Sequence, residues 1–249
     1  MRIVFLGTAG YHPNRKRLTS CVMLPDLGIV FDAGDGFSQI REHLKTQELH
    51  VFLSHYHWDH VIGLTALTGI VWQKKFTALH IYGRSPISAV HTLFKEPHFP
   101  IRLKQHGFPV TLDEWRPGKE WSIGDIRIRA RLFPHKSGGS LAFRLEHCGK
   151  TIVYLTDTTV TLDAASFVEG ADLLICECNF PNAMKELAIR TTHSYPRLVA
   201  KLAKAAGVKR LVLFHIAPLL EKPGMLSREA KNIFHSSVLL AEDEMELEI

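Results

Sequence analysis

Three histidines and an aspartate fall within six residues, in the run Ser54-His55-Tyr56-His57-Trp58-Asp59-His60, directly after the apolar stretch Val51-Phe52-Leu53. Four such side chains at the end of a strand-like run cannot all be buried neutral without partners. Bound metal satisfies them together. In an extended or turning segment His55 and His57 point the same way and can clasp one ion, and Asp59 and His60, one turn further on, can reach a second. Three more polar residues close apolar runs: His135 after Ile126–Phe133, Asp157 after Tyr154-Leu155-Thr156, and His215 after Leu211-Val212-Leu213-Phe214. A polar residue capping a strand is common on its own; that all three share a strand-end position weighs against capping alone. Imidazole and carboxylate donors suit Zn²⁺, with Mn²⁺ or Fe as alternatives.

Residues so far apart need loops from one sheet edge to gather them. Strand-like runs are Arg2–Gly7, Cys21–Leu24, Gly28–Asp32, Leu49–Ser54, Ala78–Tyr82, Glu120–Ile123, Ile126–Phe133, Ser140–His147, Thr151–Thr156, Asp172–Glu177, Arg210–His215 and Met245–Ile249. Helical stretches are expected at 37–44, at Gly63–Gln73, Pro86–Lys95, 161–169, Pro196–Ala206 and Ser227–Ser236, several opening with Ser, Thr or Pro. Hairpins come first, as at His147-Cys148-Gly149-Lys150, and strands then alternate with helices. The expected α/β fold is a four-layer αββα sandwich: two mixed β-sheets facing each other, flanked by helices. No repeat, low-complexity tract or linker-like shift interrupts the chain, so residues 1–249 are expected to form one domain.

Composition sets the broad class. With 249 residues and 46% hydrophobic content the chain can fill a sizeable core. Its longest apolar stretch, Val208 to Leu220, is broken by Lys209, Arg210 and His215 and falls short of the roughly 18 to 20 residues a membrane helix needs. The N-terminus reads as a first strand rather than a signal segment, and the expected location is the cytoplasm. Cys21, Cys148, Cys176 and Cys178 suit free thiols, not a disulfide scaffold. In the strand carrying Cys176-Glu177-Cys178, a period of two puts both sulfurs on one face, where they pack in the core. A formal charge of +5 favours a phosphate-bearing substrate only modestly.

The His-x-His-x-Asp-His pattern after a strand, with His135, Asp157 and His215 downstream in that order, resembles the signature of the metallo-β-lactamase superfamily. The resemblance implies a hydrolase with two divalent ions: one held by His55, His57 and His135, the other by Asp59, His60 and His215, with Asp157 bridging. It also implies a hydroxide bridging the two ions as nucleophile, oriented by Asp59.

The segments Phe5-Leu6-Gly7-Thr8-Ala9-Gly10, Asn14-Arg15-Lys16-Arg17 and Thr19-Ser20-Cys21 look like the opening of the ribonuclease Z and phosphodiesterase branch. So does Phe31-Asp32-Ala33-Gly34-Asp35-Gly36-Phe37-Ser38-Gln39, with Asp35 where the branch carries Glu. In Thr192-His193-Ser194-Tyr195 the resemblance gives His193 a catalytic role beside the scissile phosphate, although Tyr195 replaces the usual Thr; helix capping by this segment is the plainer alternative. Arg15-Lys16-Arg17 could contact phosphates or be a solvated loop cluster, and Gly34-Asp35-Gly36 could approach a phosphate or simply make a tight turn.

One departure matters. Processing ribonucleases of this branch carry a tRNA-gripping arm between the residues corresponding to His135 and Asp157, and here the hairpin Ser140–Thr156 fills that interval. The implied substrate is therefore a small cyclic phosphodiester or the 3′ region of an RNA. The alternative is an acyl hydrolase of the same superfamily, a thioesterase or lactonase. No membrane partner is expected, and a homodimer is the assembly common among such relatives.

Overall fold

The computed structural model describes residues 1–72 and 76–249. The chain forms two compact units, Met1–Arg116 with Glu242–Glu248, and Pro117–Ala241 with Ile249. In the first unit the apolar runs become β1 (Arg2–Gly7), β2 (Cys21–Leu24), β3 (Ile29–Phe31), β4 (Glu48–Phe52), β5 (Ala78–Gly83) and β6 (Val110–Glu114). The second contains β7 (Glu120–Ile123), β8 (Ile126–Phe133), β9 (Ser140–His147), β10 (Lys150–Leu155), β11 (Leu173–Glu177), β12 (Arg210–Phe214) and β13 (Ser237–Leu240), after which β14 (Met245–Glu248) rejoins the first.

Among the described residues each unit has one seven-stranded mixed sheet, ordered β14-β1-β2-β3-β4-β5-β6 and β13-β12-β11-β10-β9-β8-β7. The two share a plan. Pairing is antiparallel from β14 to β3 and parallel from β3 to β6. It is antiparallel from β7 to β10 and parallel from β10 to β13. Central strands such as β3 and β11 are buried along their whole length, which is why their sequences read as continuous apolar runs rather than alternating ones.

Helical segments flank each sheet. In the first unit Phe37, Leu64, Leu67 and Val90 pack on Val4, Met23, Val30, Val51 and Ile81. In the second, the helix Pro196–Ala205 lays Val199, Ala200 and Ala203 on the cluster containing Leu174, Cys176, Leu211 and Leu213. Each fully buried leucine contributes on the order of 2 kcal/mol. Cys176 and Cys178 both lie in this core, as the period of two implies.

Two short edge strands, β6 and β13, have no counterpart among the strand-like runs of the sequence. Each has a single sheet neighbour; β6, Val110-Thr111-Leu112-Asp113-Glu114, is half polar as an edge strand can be, and β13, Ser237-Val238-Leu239-Leu240, is a four-residue run directly after the expected helix Ser227–Ser236. The expected helix Pro86–Lys95 is a 3₁₀ helix, Ile87–Phe94. The expected helix Gly63–Gln73 is a 3₁₀ turn, Ile62–Ala66, followed by a short α-helix, Leu67–Val71, and Gln73 lies outside the described residues. Among the described residues no helix is long and apolar enough to cross a membrane.

One polar contact fastens the starts of the three strands that matter most below. Asp172, just before β11, accepts the Thr151 N–H of β10 at 2.8 Å and the Lys209 ammonium, just before β12, at 2.8 Å. Burial pushes the Asp172 carboxyl up, but Lys209 and the Thr151 N–H outweigh it and hold its pKa below the ordinary value. A carboxyl depressed on folding stabilises the fold above its unfolded pKa, near about 3.9, and that stability is lost as pH falls through the lower folded value. Asp172→Ala should therefore cost roughly 1–2 kcal/mol at neutral pH, with the gap closing below about pH 4. Denaturant unfolding at several pH values checks this, and an equal gap at all of them would contradict it.

Candidate metal centre

In the first unit the polar cluster begins two residues after β4. Leu53 and Ser54 lead into His55, and a short helix, Trp58–Val61, takes His57 as its N-cap and carries Asp59 and His60 in its first turn. The turn is pinned to the loop after β3 by Ala33 N–H to His60 O and Gly63 N–H to Ala33 O, both 2.8 Å. Glycine is required at this approach: a Cβ on Gly63 would overlap the Gly34 carbonyl, and one on Gly34 would overlap the Asp59 carbonyl. The rings of His55 and His57 stand 4.4 Å apart edge to face, and those of His55 and His60 4.3 Å apart. Asp59 Oδ2 lies 3.3 Å from His60 Nε2 and accepts the Tyr11 N–H at 2.8 Å.

Beneath these rings sits Asp32, fully buried at the end of β3. It accepts from Ser54 N–H at 2.7 Å, Ser54 Oγ at 2.8 Å and His60 Nδ1 at 2.7 Å. Because the Ser54 hydroxyl gives its proton to Asp32, its oxygen is left to accept from His55 Nδ1 at 3.0 Å. Both imidazoles thus carry their proton on Nδ1, which directs the Nε2 lone pairs toward a ligand.

The second unit repeats this logic. His135, Asp157 and His215 follow β8, β10 and β12, whose ends share one sheet edge because β8 and β10 are each antiparallel to β9. The two carboxylate oxygens of Asp157 face different histidines: Oδ1 is 3.7 Å from His135 Nε2, and Oδ2 is 3.5 Å from His215 Nε2. Thr192 Oγ donates to the Thr191 carbonyl at 2.6 Å and so accepts from His135 Nδ1 at 3.0 Å. His215 Nδ1 faces Glu177 at 3.7 Å, and Asn179 Nδ2 holds the His215 carbonyl at 2.9 Å.

Glu177 is fully buried at the end of β11. It accepts the Thr158 N–H and, at 2.8 Å, His193 Nδ1. Burial alone would push this carboxyl up; the charge and hydrogen bond of His193, with the His215 ring close by, prevail and hold its pKa below the usual range. The same contact acts on His193. Burial disfavours the imidazolium, but the Glu177 charge and hydrogen bond outweigh it and raise the His193 pKa. The His193 ring stacks at 5.5 Å on His215 and lies 5.7 Å from His135.

Capping is not the task of this segment. The helix after it has Tyr195 as N-cap, with Pro196 at its start and no side-chain cap, while Ser194 ties the Thr158 carbonyl and the Val160 N–H. Other residues of the two N-terminal segments serve the fold. Arg17 is buried and donates to Thr8 Oγ at 2.5 Å; Thr8 in turn donates to Asp243 at 2.6 Å. Asp35 is held by Thr19 Oγ at 2.7 Å, and Gly36 packs so closely on Leu6 and Gly7 that a Cβ would not fit.

The family model of the beta-lactamase superfamily domain matches residues 28–216. The chain belongs to the metallo-β-lactamase superfamily. It falls in the ribonuclease Z-like branch: it is 30% identical over 300 aligned residues to the ribonuclease Z of Methanosarcina acetivorans, covering 100% of this chain and 98% of that protein. The metallo-β-lactamase fold protein YhfI from Bacillus subtilis superposes with a TM-score of 0.83 at 25% identity, covering 99% of each chain. Human short-form tRNase Z superposes with a TM-score of 0.79 at 25% identity, over 100% of this chain and 99% of that one.

The donors fit the metals of this superfamily on their own chemistry. Two ligand atoms about 2.0–2.1 Å from one tetrahedral ion stand roughly 3.4 Å apart, close to the spacing of each Asp157 oxygen from its histidine. The buried carboxylates Asp32 and Glu177 are not among the candidate ligands of the sequence, where one looks like a turn residue and the other like part of a packed strand. Asp32→Asn keeps a residue that tolerates the left-handed backbone here (φ 58°), and removes only the charge beneath His60. It should weaken metal affinity about 10- to 100-fold with little loss of fold. Metal content after dialysis against buffered Zn²⁺ checks this; an unchanged affinity would remove Asp32 from the site.

Proposed function

We propose that the chain hydrolyses phosphodiester bonds with two divalent ions, Zn²⁺ by preference, held by His55, His57, Asp59, His60, His135, Asp157 and His215. As a member of the ribonuclease Z-like branch it is a metal-dependent hydrolase. When bound, the ions supply positive charge to the phosphate oxygens and lower the pKa of the attacking water.

The protein's own part is proton management. His193 gives a proton to the leaving oxygen as the P–O bond breaks, and Glu177 favours the protonated form of that imidazole and aims it through Nδ1, leaving Nε2–H for the substrate. Asp59 orients the attacking water and is itself positioned by the Tyr11 N–H. The observation that carries this reading is the buried Glu177–His193 pair against His135 and His215, since acyl transfer requires no separate acid at that place.

The substrate is a small cyclic phosphodiester or the 3′ region of an RNA. The interval between His135 and Asp157 is taken up by a 3₁₀ turn and the β9–β10 hairpin, which favours a substrate that needs no distant grip; the relatives named ribonuclease Z favour RNA.

Metal-loaded protein offered bis(p-nitrophenyl) phosphate, 2′,3′-cyclic nucleotides, a tRNA precursor, a thioester and a lactone should act on the phosphodiesters. Turnover confined to the two esters would overturn the assignment. His193→Ala should keep its metals and lose about 10²-fold or more in rate, whereas Asp157→Ala should lose metal. The working form is proposed to be a cytoplasmic homodimer, which light scattering would refute by returning a monomer mass.

A further inference from the structure

We infer that Glu48, His50 and His80, on β4 and β5, form a further, mononuclear site for a transition-metal ion of the Zn²⁺ class. Parallel pairing creates it. β4 and β5 run in register, with Glu48 opposite Ala78, His50 opposite His80 and Phe52 opposite Tyr82, so side chains two apart share a face. His50 and His80 become lateral neighbours, with rings stacked 4.7 Å apart at 12°. Glu48 lies one step back along the same face. Its Oε2 stands 4.0 Å from His50 Nε2 and 3.8 Å from His80 Nε2, and all three ligand atoms lie within 4.8 Å of one another.

The outer contacts are those of metal-bound imidazoles. His50 Nδ1 meets the Tyr82 hydroxyl at 3.0 Å, and His80 Nδ1 meets the Thr111 hydroxyl at 2.8 Å. Each hydroxyl can accept an Nδ1–H, which fixes the tautomer and turns Nε2 toward Glu48. Burial, with the neighbouring His80, lowers the His50 pKa to about 4, so that ring is unprotonated at neutral pH and ready to donate its lone pair. A stacked pair of imidazoles facing one carboxylate gains little in water as a salt bridge, since one ring is neutral; one cation answers all three.

Two imidazoles and a carboxylate suit Zn²⁺, Ni²⁺ or Cu²⁺, with water completing the coordination. Donors on one tetrahedral ion stand roughly 3.4 Å apart, so the largely exposed Glu48 side chain needs only a small swing to close the set. Its exposure, 56% of the side chain, also gives the ion a way in. None of the three residues belongs to the strand-end clusters, which follow the opposite ends of the parallel strands.

The test is a metal count. Protein equilibrated with micromolar free Zn²⁺ should hold one more ion per chain than His80→Gln, as read by elemental analysis, and Zn²⁺ should raise the melting temperature of the wild type more than that of the variant. Glu48→Gln, at an exposed position that cannot compromise folding, should also lose the ion at the same free Zn²⁺. The same ion should persist in Asp157→Ala and vanish when His80→Gln is added, which separates this site from the proposed catalytic metals. Phosphodiester hydrolysis should be unchanged in Glu48→Gln. Equal metal counts in wild type, His80→Gln and Glu48→Gln would overturn the proposal.

Discussion

A buried carboxylate beneath each histidine cluster is the constraint on which the rest of the site depends. Asp32 and Glu177 are both fully buried, and an isolated charge so placed costs several kcal/mol. Each is kept by a full set of donors: a backbone N–H, and imidazole Nδ1 protons that are thereby fixed. The buried acid and the oriented ring depend on each other. Replace the acid with an apolar residue and the Nδ1 protons lose their acceptors; replace the histidines and the acid is left charged in the core.

Backbone geometry follows from the same need. Asp32, Asp157 and His215 all adopt positive φ, 58°, 52° and 54°, a left-handed conformation that costs non-glycine residues roughly 1–2 kcal/mol. Asp32 and His215 stand one residue past the ends of β3 and β12, and Asp157 two residues past the end of β10. The reversal turns the side chain away from its place in the pleat and onto the sheet edge. Strain of this kind persists only where surrounding contacts over-determine it, and here the parallel neighbours and the bond from Asp32 N–H to Phe52 O at 2.9 Å do so.

The candidate ligands stand out in the sequence because metal sites demand uncommon residue types in dense spacing, as at His55 to His60, and because His135, Asp157 and His215 each close an apolar run. The strands carrying them were legible for the same reason: both faces of β4, β10, β11 and β12 are covered, and continuous apolar runs announce it. What escaped was whatever looks ordinary in one dimension. Glu177 sits between two core cysteines and reads as part of a packed strand, and Asp32 reads as a turn residue. Only the three-dimensional neighbours, His193 for one and His60 for the other, reveal their roles. β6 escaped because an edge strand may be half polar, β13 because its apolar run is so short, and Glu48, His50 and His80 escaped because their meeting depends on the register between β4 and β5, which no local pattern encodes.

Register also explains why polar residues accumulate where they do. In each sheet the parallel half must return its chain through a helical segment after every strand, so every such strand ends in a loop at the same edge. Those loops are free of the pairing and packing that force apolar choices within the strands. His55 to His60 follow β4, Asp157 follows β10, Glu177 closes β11 and His215 follows β12. The antiparallel β8–β9 connection opens at the same edge and carries His135, whereas the β9–β10 turn at Cys148-Gly149 opens at the other edge and carries none of the proposed ligands. An insertion between Leu155 and Asp157, or between Phe214 and His215, would shift a proposed ligand, whereas one in the β9–β10 turn would leave every proposed ligand where its strand puts it.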